Sequence, residues 1–490
     1  MQSSRNLASR PAEVAGTVTL RNFIAGDWAA PGVELSNDVT DSNTGAVIIR
    51  QRGSTPAQIA TAVECADAAH RSGAWSGMRP QDRADALTRI GGALDDVAEE
   101  IAHSDARSTG VPIVNTRTLA TVCGAAFRTA AALTVEPDLV QREANFEVQR
   151  LPLGPAAIIA PWNAPAGIAC HKLASALAAG CPVLYKPSEW APLSGQRIAE
   201  VIARVGLPNG VFQLLHGDGV TGGVLTSDAR VASVSFTGGL EAGRAVAVAC
   251  AQQIKPAQLE LGGNNPLIVL PGADLDAAVE GIVTALTTLN GQWCRALGRL
   301  LVHKTLVDDV LEATLRRLEN LRVGSSLDEA TEMGPVVHEQ HRQLIAVALD
   351  TYRKKGGVVH MSGKLPGGDG WFVLPALVTG LAPEDALDEV FGPVATVHEF
   401  DSVAEAVQLA NMAPYGLAAY VFGGAEDAYE VARQLESGTV KINQVTLFSP
   451  HPEAPRPAWK LSGIGEEGTH ETFEFFRGSR VIGVPQGIPG

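Results

Sequence analysis

Residues 156–187 read AAIIAPWNAPAGIACHKLASALAAGCPVLYKP, and the order of apolar runs and breakers in this stretch decides the fold class. The run 156–160 is short and wholly apolar, as befits a strand covered on both faces. Pro161-Trp162-Asn163-Ala164-Pro165 then makes a turn. A helix follows to about residue 179 and stops at Gly180, with Pro182 just beyond. Residues 181–185 are the next strand, closed by Lys186-Pro187. Strand, turn, helix, strand is a βαβ unit.

Working outward, the rhythm recurs as a strand at 210–215, a glycine turn, a strand at 231–236 and a helix from about Leu240. Residues 266–270 form another strand. A helix over 277–289 then delivers Asn290-Gly291-Gln292-Trp293-Cys294, and later strands lie at 300–302 and 396–400. Strands alternating with Ala-rich helices predict an α/β architecture with parallel sheets. No internal repeat of fixed period is present. The polar stretch near 141–146 and the Gly/Pro-rich tail after Gly478 are where the chain is expected to leave the main bodies.

The 490 residues suggest about three domains at roughly 150 residues each. With 46% hydrophobic and 19% charged residues the composition is that of a globular protein and excludes disorder throughout. A net charge of −15, with no Lys/Arg cluster to offset it, argues against a nucleic-acid partner. No charge-free apolar run is long enough to span a membrane. Residues 1–20 lack the apolar centre of a secretory signal and read as a loosely ordered leader. Cys65, Cys123, Cys170, Cys181, Cys250 and Cys294 are scattered without CxxC pairs or metal spacing. A reducing, cytoplasmic compartment and no bound metal are expected.

Three segments carry candidate chemistry. His216-Gly217-Asp218-Gly219-Val220-Thr221-Gly222 contains G-x-G-x-x-G after a strand, which suits either a dinucleotide turn or an ordinary glycine connection. The segment behind it, 226–230, is short and polar. Cys294 stands beside Gln292 and Arg295; a lone cysteine is usually core filler, but a neighbouring cation favours thiolate. Glu260-Leu261-Gly262-Gly263-Asn264 puts an acid beside two glycines, so the choice is between a solvated face and a close approach of backbone to ligand.

These segments are not independent. Pro161-Trp162-Asn163, Lys186-Pro187-Ser188-Glu189, Phe236-Thr237-Gly238-Gly239, Glu260-Leu261-Gly262-Gly263, Gly291-Gln292-Trp293-Cys294 and Glu389-Val390-Phe391-Gly392-Pro393 occur in one order. Together they closely resemble the NAD(P)-dependent aldehyde dehydrogenase superfamily. The likeness runs from about Phe23 to Gly465. It implies a Rossmann-like cofactor domain (1–133 and 153–262), an α/β catalytic domain (263–465) and a small β oligomerisation element (134–152 and 466–490). A homodimer or homotetramer is expected to follow.

The resemblance also implies roles. Cys294 would attack an aldehyde as thiolate, Asn163 and the Cys294 backbone N–H would hold the oxyanion, and Glu260 would activate water against the thioester. Lys172 and Glu467 match a pair that relays the proton from Glu260. Lys186 and Glu189 would hold the adenine-side ribose, which favours NAD over NADP. Gly238 and Gly243 match the family's phosphate-facing helix start, Gly219 would lie near the adenine, and Glu389 and Phe391 would hold the nicotinamide side. Pro161, Trp162, Ser188, Gly223, Phe236, Thr237, Gly239 and Leu261 complete the expected cofactor set.

The sequence departs from the family pattern at three places. Gly239 replaces a usual Ser, Glu466 replaces a frequent Arg, and Arg456-Pro457-Ala458-Trp459 stands where Phe-Gly-Gly is common. That last change falls in the loop 444–459, about two residues longer than in common relatives and expected at the substrate entrance. Ala164, His171, Trp293, Arg295 and Phe448 are the expected substrate pocket. Arg295 would pair with a substrate carboxylate or, more ordinarily, sit in a structural ion pair. Two other readings stand beside the dehydrogenase: a non-redox acyl hydrolase using the same cysteine and glutamate, and a catalytically silent NAD-binding relative.

Overall fold

The computed structural model describes residues 19–135, 140–483 and 486; most of the expected leader and the end of the tail lie outside the described residues. Strand Ala156–Ile159 leads into helix Pro165–Ala179, capped by Gly180 at φ 94°, and the chain returns as strand Val183–Lys186. Glycine takes that left-handed value without Cβ crowding, so the helix stops there. The two strands are parallel, with Ala156 opposite Val183. Ala156 and Ile158 belong to one core, with Leu87, Phe127 and Leu173. Ala157 and Ile159 belong to another, with Val234, Phe236 and Leu259. Both faces of the strand are covered, which is why its sequence is an unbroken apolar run.

In the first sheet the spatial order is Asp27–Ala29, Asn22–Ile24, Phe212–Leu214, Val183–Lys186, Ala156–Ile159, Ser233–Thr237, Ala257–Glu260, Gly463–Ile464. From Phe212–Leu214 to Ala257–Glu260 the strands are parallel, and the flanking strands run antiparallel. The chain moves outward from Ala156–Ile159 in one direction and later crosses to its other side at Ser233–Thr237. At such a reversal the loops leaving two neighbouring strands part, opening a crevice at their carboxyl ends.

In the second sheet the order is Val358–Met361, Ala376–Thr379, Val394–Phe400, Leu297–His303, Asn265–Val269, Ala418–Phe422, Thr439–Ile442. Its strands are parallel except at the Val358–Met361 edge. Residues 261–264 join the sheets, between Ala257–Glu260 and Asn265–Val269. So short a link brings the carboxyl end of one sheet to the amino end of the other. A third, antiparallel sheet is made of Val140–Arg142, Phe146–Pro152 and Arg477–Gly483. The stretches near 141–146 and after Gly478 both fall in it.

Two local expectations need correction. Residues after Gly217 are not merely a turn: Gly219–Ser227 is a helix, its Asp218 N-cap accepting the Val220 N–H at 2.9 Å. Glycine-rich composition hid it, because its apolar positions are few. The helix expected over 277–289 runs Leu275–Thr287 and then reverses, with Leu289, Asn290 and Gly291 at φ 51°, 61° and 73°. Asn290 Nδ2 donates to the carbonyls of Gly110 (2.8 Å) and Pro335 (2.9 Å), and its Oδ1 accepts the Gly334 N–H (2.8 Å).

Asn290→Ala leaves those three buried groups without partners, at about 1–3 kcal/mol for each unsatisfied group. The apparent Tm should fall by several degrees and turnover should fall with it, since Cys294 follows the reversal. A variant that melts and turns over like the parent would refute this role.

Candidate active site

Cys294 lies three residues before strand Leu297–His303, and its backbone is tied down directly. Asn265 Nδ2 donates to the carbonyls of Cys294 (2.9 Å) and Ala296 (2.8 Å), while its Oδ1 accepts the Ala418 N–H (3.0 Å). Glu260 ends strand Ala257–Glu260, and its Oε1 accepts from the Cys294 thiol at 3.4 Å. Asn163, from the turn after Ala156–Ile159, donates its Nδ2 to the Gln292 carbonyl at 2.8 Å. The amide is thereby fixed beside the cysteine loop. All three come from the sheet junction that residues 261–264 create.

Behind Glu260 lies a buried ion pair. Lys172, fully buried on helix Pro165–Ala179, donates Nζ to Glu467 Oε1 at 2.5 Å and to Ser235 Oγ at 2.8 Å. Burial would raise Glu467, but Lys172 and Arg456 hold its carboxyl below the usual range. Burial, then the Glu467 charge, raises Glu260. Burial, then the Glu260 carboxylate, pushes the Cys294 thiol well above its ordinary value, with Arg295 pulling the other way. The resting cysteine therefore keeps its proton, and the nearest acceptor for it is Glu260.

Two cavities meet at this pair. A groove of about 700 Å³ is lined by Pro161, Trp162, Lys186, Ser188, Glu189, Gly219, Gly223, Phe236, Thr237, Gly238, Gly239, Leu261, Glu389 and Phe391. Lys186 Nζ lies 3.3 Å from Glu189 Oε2. Glu389 Oε1 accepts the Gly263 N–H at 2.8 Å, and burial pushes its carboxyl up to about 8. A Cβ on Gly262 would stand 1.9 Å from Glu389 Oε2, so the glycine there is a close approach of backbone to side chain rather than to solvent. Gly243, expected at the phosphates, is outside the groove: a Cβ there would meet Leu261 at 2.5 Å, and its smallness seats the helix Leu240–Gln252.

The smaller cavity, about 190 Å³, is lined by Ala164, His171, Trp293, Arg295 and Phe448, the full expected substrate set. Asn163, Glu260 and Cys294 line both cavities. Burial and Arg456 push His171 down to about 3, so its ring is neutral and accepts from Arg456 Nη2 at 2.9 Å. The structural ion pair expected of Arg295 is absent among the described residues; its Nη1 donates to the Leu417 carbonyl at 3.4 Å instead. Glu260 feels its charge without pairing with it.

Several lining residues had no sequence signal. Trp190 stacks on His338, with ring centroids 3.8 Å apart, and walls the groove beside Glu189. Ala242, Ala245, Val246 and Ala249 line it at helical spacing and read as ordinary core. Lys441 and Arg456 enter the smaller cavity from remote segments. Lys441, as a charge inside the otherwise apolar strand Thr439–Ile442, is the one a sequence reader had grounds to question.

Alkylation of Cys294 by iodoacetamide should keep accelerating past pH 9, because its thiol is raised. Glu260→Gln removes the carboxylate that helps raise it, so the rise should move to lower pH and the variant should react several-fold faster at pH 8. A shift to higher pH in Glu260→Gln would instead make Glu260 chiefly a proton acceptor for the thiol.

Comparison with known proteins agrees over nearly the whole chain. The profile of the aldehyde dehydrogenase family matches residues 28–482. Geranial dehydrogenase of Castellaniella defragrans is 34% identical over 459 residues, covering 91% of this chain and 94% of that protein. A betaine aldehyde dehydrogenase of Cereibacter sphaeroides is 35% identical over 451 residues, covering 91% and 92%. Among solved structures, betaine aldehyde dehydrogenase from Staphylococcus aureus in complex with NAD+ superposes with a TM-score of 0.90 at 32% identity, covering 95% of each chain. With the family profile, two curated relatives and a full-length structural match in agreement, this chain belongs to the aldehyde dehydrogenase family.

Proposed function

We propose that this protein oxidises an aldehyde to its carboxylic acid with NAD, Cys294 serving as nucleophile and Glu260 as general base. The observation that carries the reading is the meeting of two cavities at a cysteine and a glutamate 3.4 Å apart. Aldehyde enters the smaller cavity. Glu260 takes the thiol proton, and Cys294 Sγ bonds to the carbonyl carbon, giving a thiohemiacetal. The new oxyanion is held by the Asn163 amide and the Cys294 backbone N–H. Loss of hydride from that carbon leaves a thioester on Cys294. Glu260 then passes the thiol proton on toward solvent through the Lys172–Glu467 relay and, ionised again, deprotonates water; the hydroxide adds to the thioester carbon, Cys294 leaves as thiolate and the acid is released. Glu467, kept charged by Lys172, raises Glu260 and so improves it as a base.

The groove suits a dinucleotide. A Cβ at Gly219, Gly223 or Gly239 would meet nothing within 4 Å, so the backbone there faces open space. Lys186 and Glu189 line the groove together, which supports a role at ribose hydroxyls, and a carboxylate at Glu189 repels a 2′-phosphate, which favours NAD over NADP. Glu389 and Phe391 stand at the Cys294 end of the groove. Bound NAD supplies the hydride acceptor. The Staphylococcus aureus relative in complex with NAD+ supports the same cofactor.

The third sheet supports assembly into dimers or tetramers: Val481 and Ile482 on its Arg477–Gly483 strand are 65% and 40% exposed, and among the described residues that strand has an unpaired edge. Six cysteines without disulfides support a reducing cytoplasm. An acyl hydrolase needs no 700 Å³ groove, and a silent relative needs no assembled Cys294, Glu260 and Asn163.

The test is NADH formation across aliphatic, aromatic and carboxylate-bearing aldehydes, with NADP in parallel. Cys294→Ala should lose activity by about a thousandfold or more. Glu260→Gln should give a burst of NADH near one equivalent per site and then stall, with steady turnover down about 10²–10⁴-fold. Ester hydrolysis without NADH from any aldehyde would replace the dehydrogenase by the acyl hydrolase.

A further inference from the structure

Three long cations line the smaller cavity, and two of them are already engaged. Lys441 Nζ donates to Thr446 O (2.6 Å), Thr446 Oγ1 (2.9 Å) and Phe448 O (2.8 Å), three acceptors for three protons. Arg456 donates to neutral His171 and lies 3.8 Å from Glu467. Arg295 differs from both. It is 9% exposed, lies on the cavity wall beside Cys294, and among the described residues has no carboxylate within 4 Å. Its hydrogen bond to Leu417 O at 3.4 Å is long and uses one of five N–H donors. None of its nitrogens is sealed in without a partner, so the remaining donors open onto the cavity.

A guanidinium in so dry a place is costly unless an anion meets it. Glu260 feels the Arg295 charge but makes no ion pair with it, and its Oε1 faces the Cys294 thiol instead. Glu467 is held by Lys172 on the far side. Glu260 and Glu467 line the same cavity, yet neither bonds to Arg295, which leaves its open donors for an incoming anion. A quaternary ammonium group placed beside Arg295 would be repelled by it.

We propose that Arg295 determines specificity by binding a carboxylate carried on the substrate, so that the preferred substrates are short aldehyde-acids with the aldehyde carbon at Cys294. This rests on the dehydrogenase reading above. The product is a dicarboxylate, its new carboxyl group formed with oxygen from water and its hydride passed to NAD.

The test compares kcat/KM for ω-oxo-carboxylates of three to six carbons, n-alkanals of matched length and matched ω-trimethylammonio aldehydes, in wild type, Arg295→Lys and Arg295→Met. Wild type should prefer the oxo-acid to its alkanal by tenfold or more. In Arg295→Met that ratio should collapse by about 30-fold, mainly through KM, the range of one charge-assisted hydrogen-bond pair; Arg295→Lys should recover part of it.

A second readout needs no turnover: the rate of Cys294 alkylation by iodoacetate relative to iodoacetamide should drop about tenfold in Arg295→Met, charge on the reagent being the difference. Melting temperature and NAD binding of each variant establish that it is folded. An unchanged preference ratio and alkylation ratio in Arg295→Met would overturn the proposal and leave Arg295 acting on the thiolate alone. A wild type that favours alkanals or trimethylammonio aldehydes overturns it too, while leaving the dehydrogenase intact. If no aldehyde reduces NAD but the alkylation ratio still responds, the dehydrogenase reading fails and the anion site stands.

Discussion

The chain reversal at Leu289–Gly291 is the constraint on which the site depends. Two non-glycine residues in the left-handed region cost about 1–2 kcal/mol each and persist only where their surroundings over-determine them. Here Asn290 bonds to Gly110, Pro335 and Gly334, and Gln292 Oε1 accepts the Val337 N–H at 2.8 Å. Gly291 has no room for a side chain, since a Cβ would stand 2.3 Å from the Pro393 nitrogen. That contact belongs to the segment carrying Glu389 and Phe391. Asn163 in turn bonds to the Gln292 carbonyl. One reversal therefore sets the cysteine, the amide beside it and the far wall of the groove together.

The second element of the design is the short crossing from one sheet to the other. Because only residues 261–264 separate Glu260 from Asn265, the base of one sheet and the anchor of the cysteine loop cannot drift apart. Asn265 fixes Cys294 by its carbonyl, and Glu260 faces its sulfur. Burial then keeps both side chains protonated more than they would be in water. Lys172 and Glu467 form a buried pair whose desolvation is repaid by close geometry and by the Ser235 hydroxyl. Its negative end is what loads Glu260.

Much of this was legible from local signals. The unbroken apolar run at 156–160, the breakers at Gly180 and Pro182, and the ordered motifs from Pro161 to Pro393 identify the α/β core and the residues around the cysteine. Gly243 packs on Leu261, while Gly238 and Gly239 at the start of the same helix line the groove. The helix Gly219–Ser227 was missed because its glycines and threonines carry little helix propensity, and packing against the sheet makes up the difference.

The sequence by itself determined what depends on neighbours in the chain: the βαβ alternation, the turn residues and the ordered motifs that carry Asn163, Glu260 and Cys294. Only the tertiary structure decided how those groups share charge. Whether Arg295 has an acid partner, whether His171 is neutral, and which cations in the smaller cavity are engaged all depend on segments from residues 163 to 467. Electrostatic energy depends on distance and burial in space, and neither is written in the spacing along a chain.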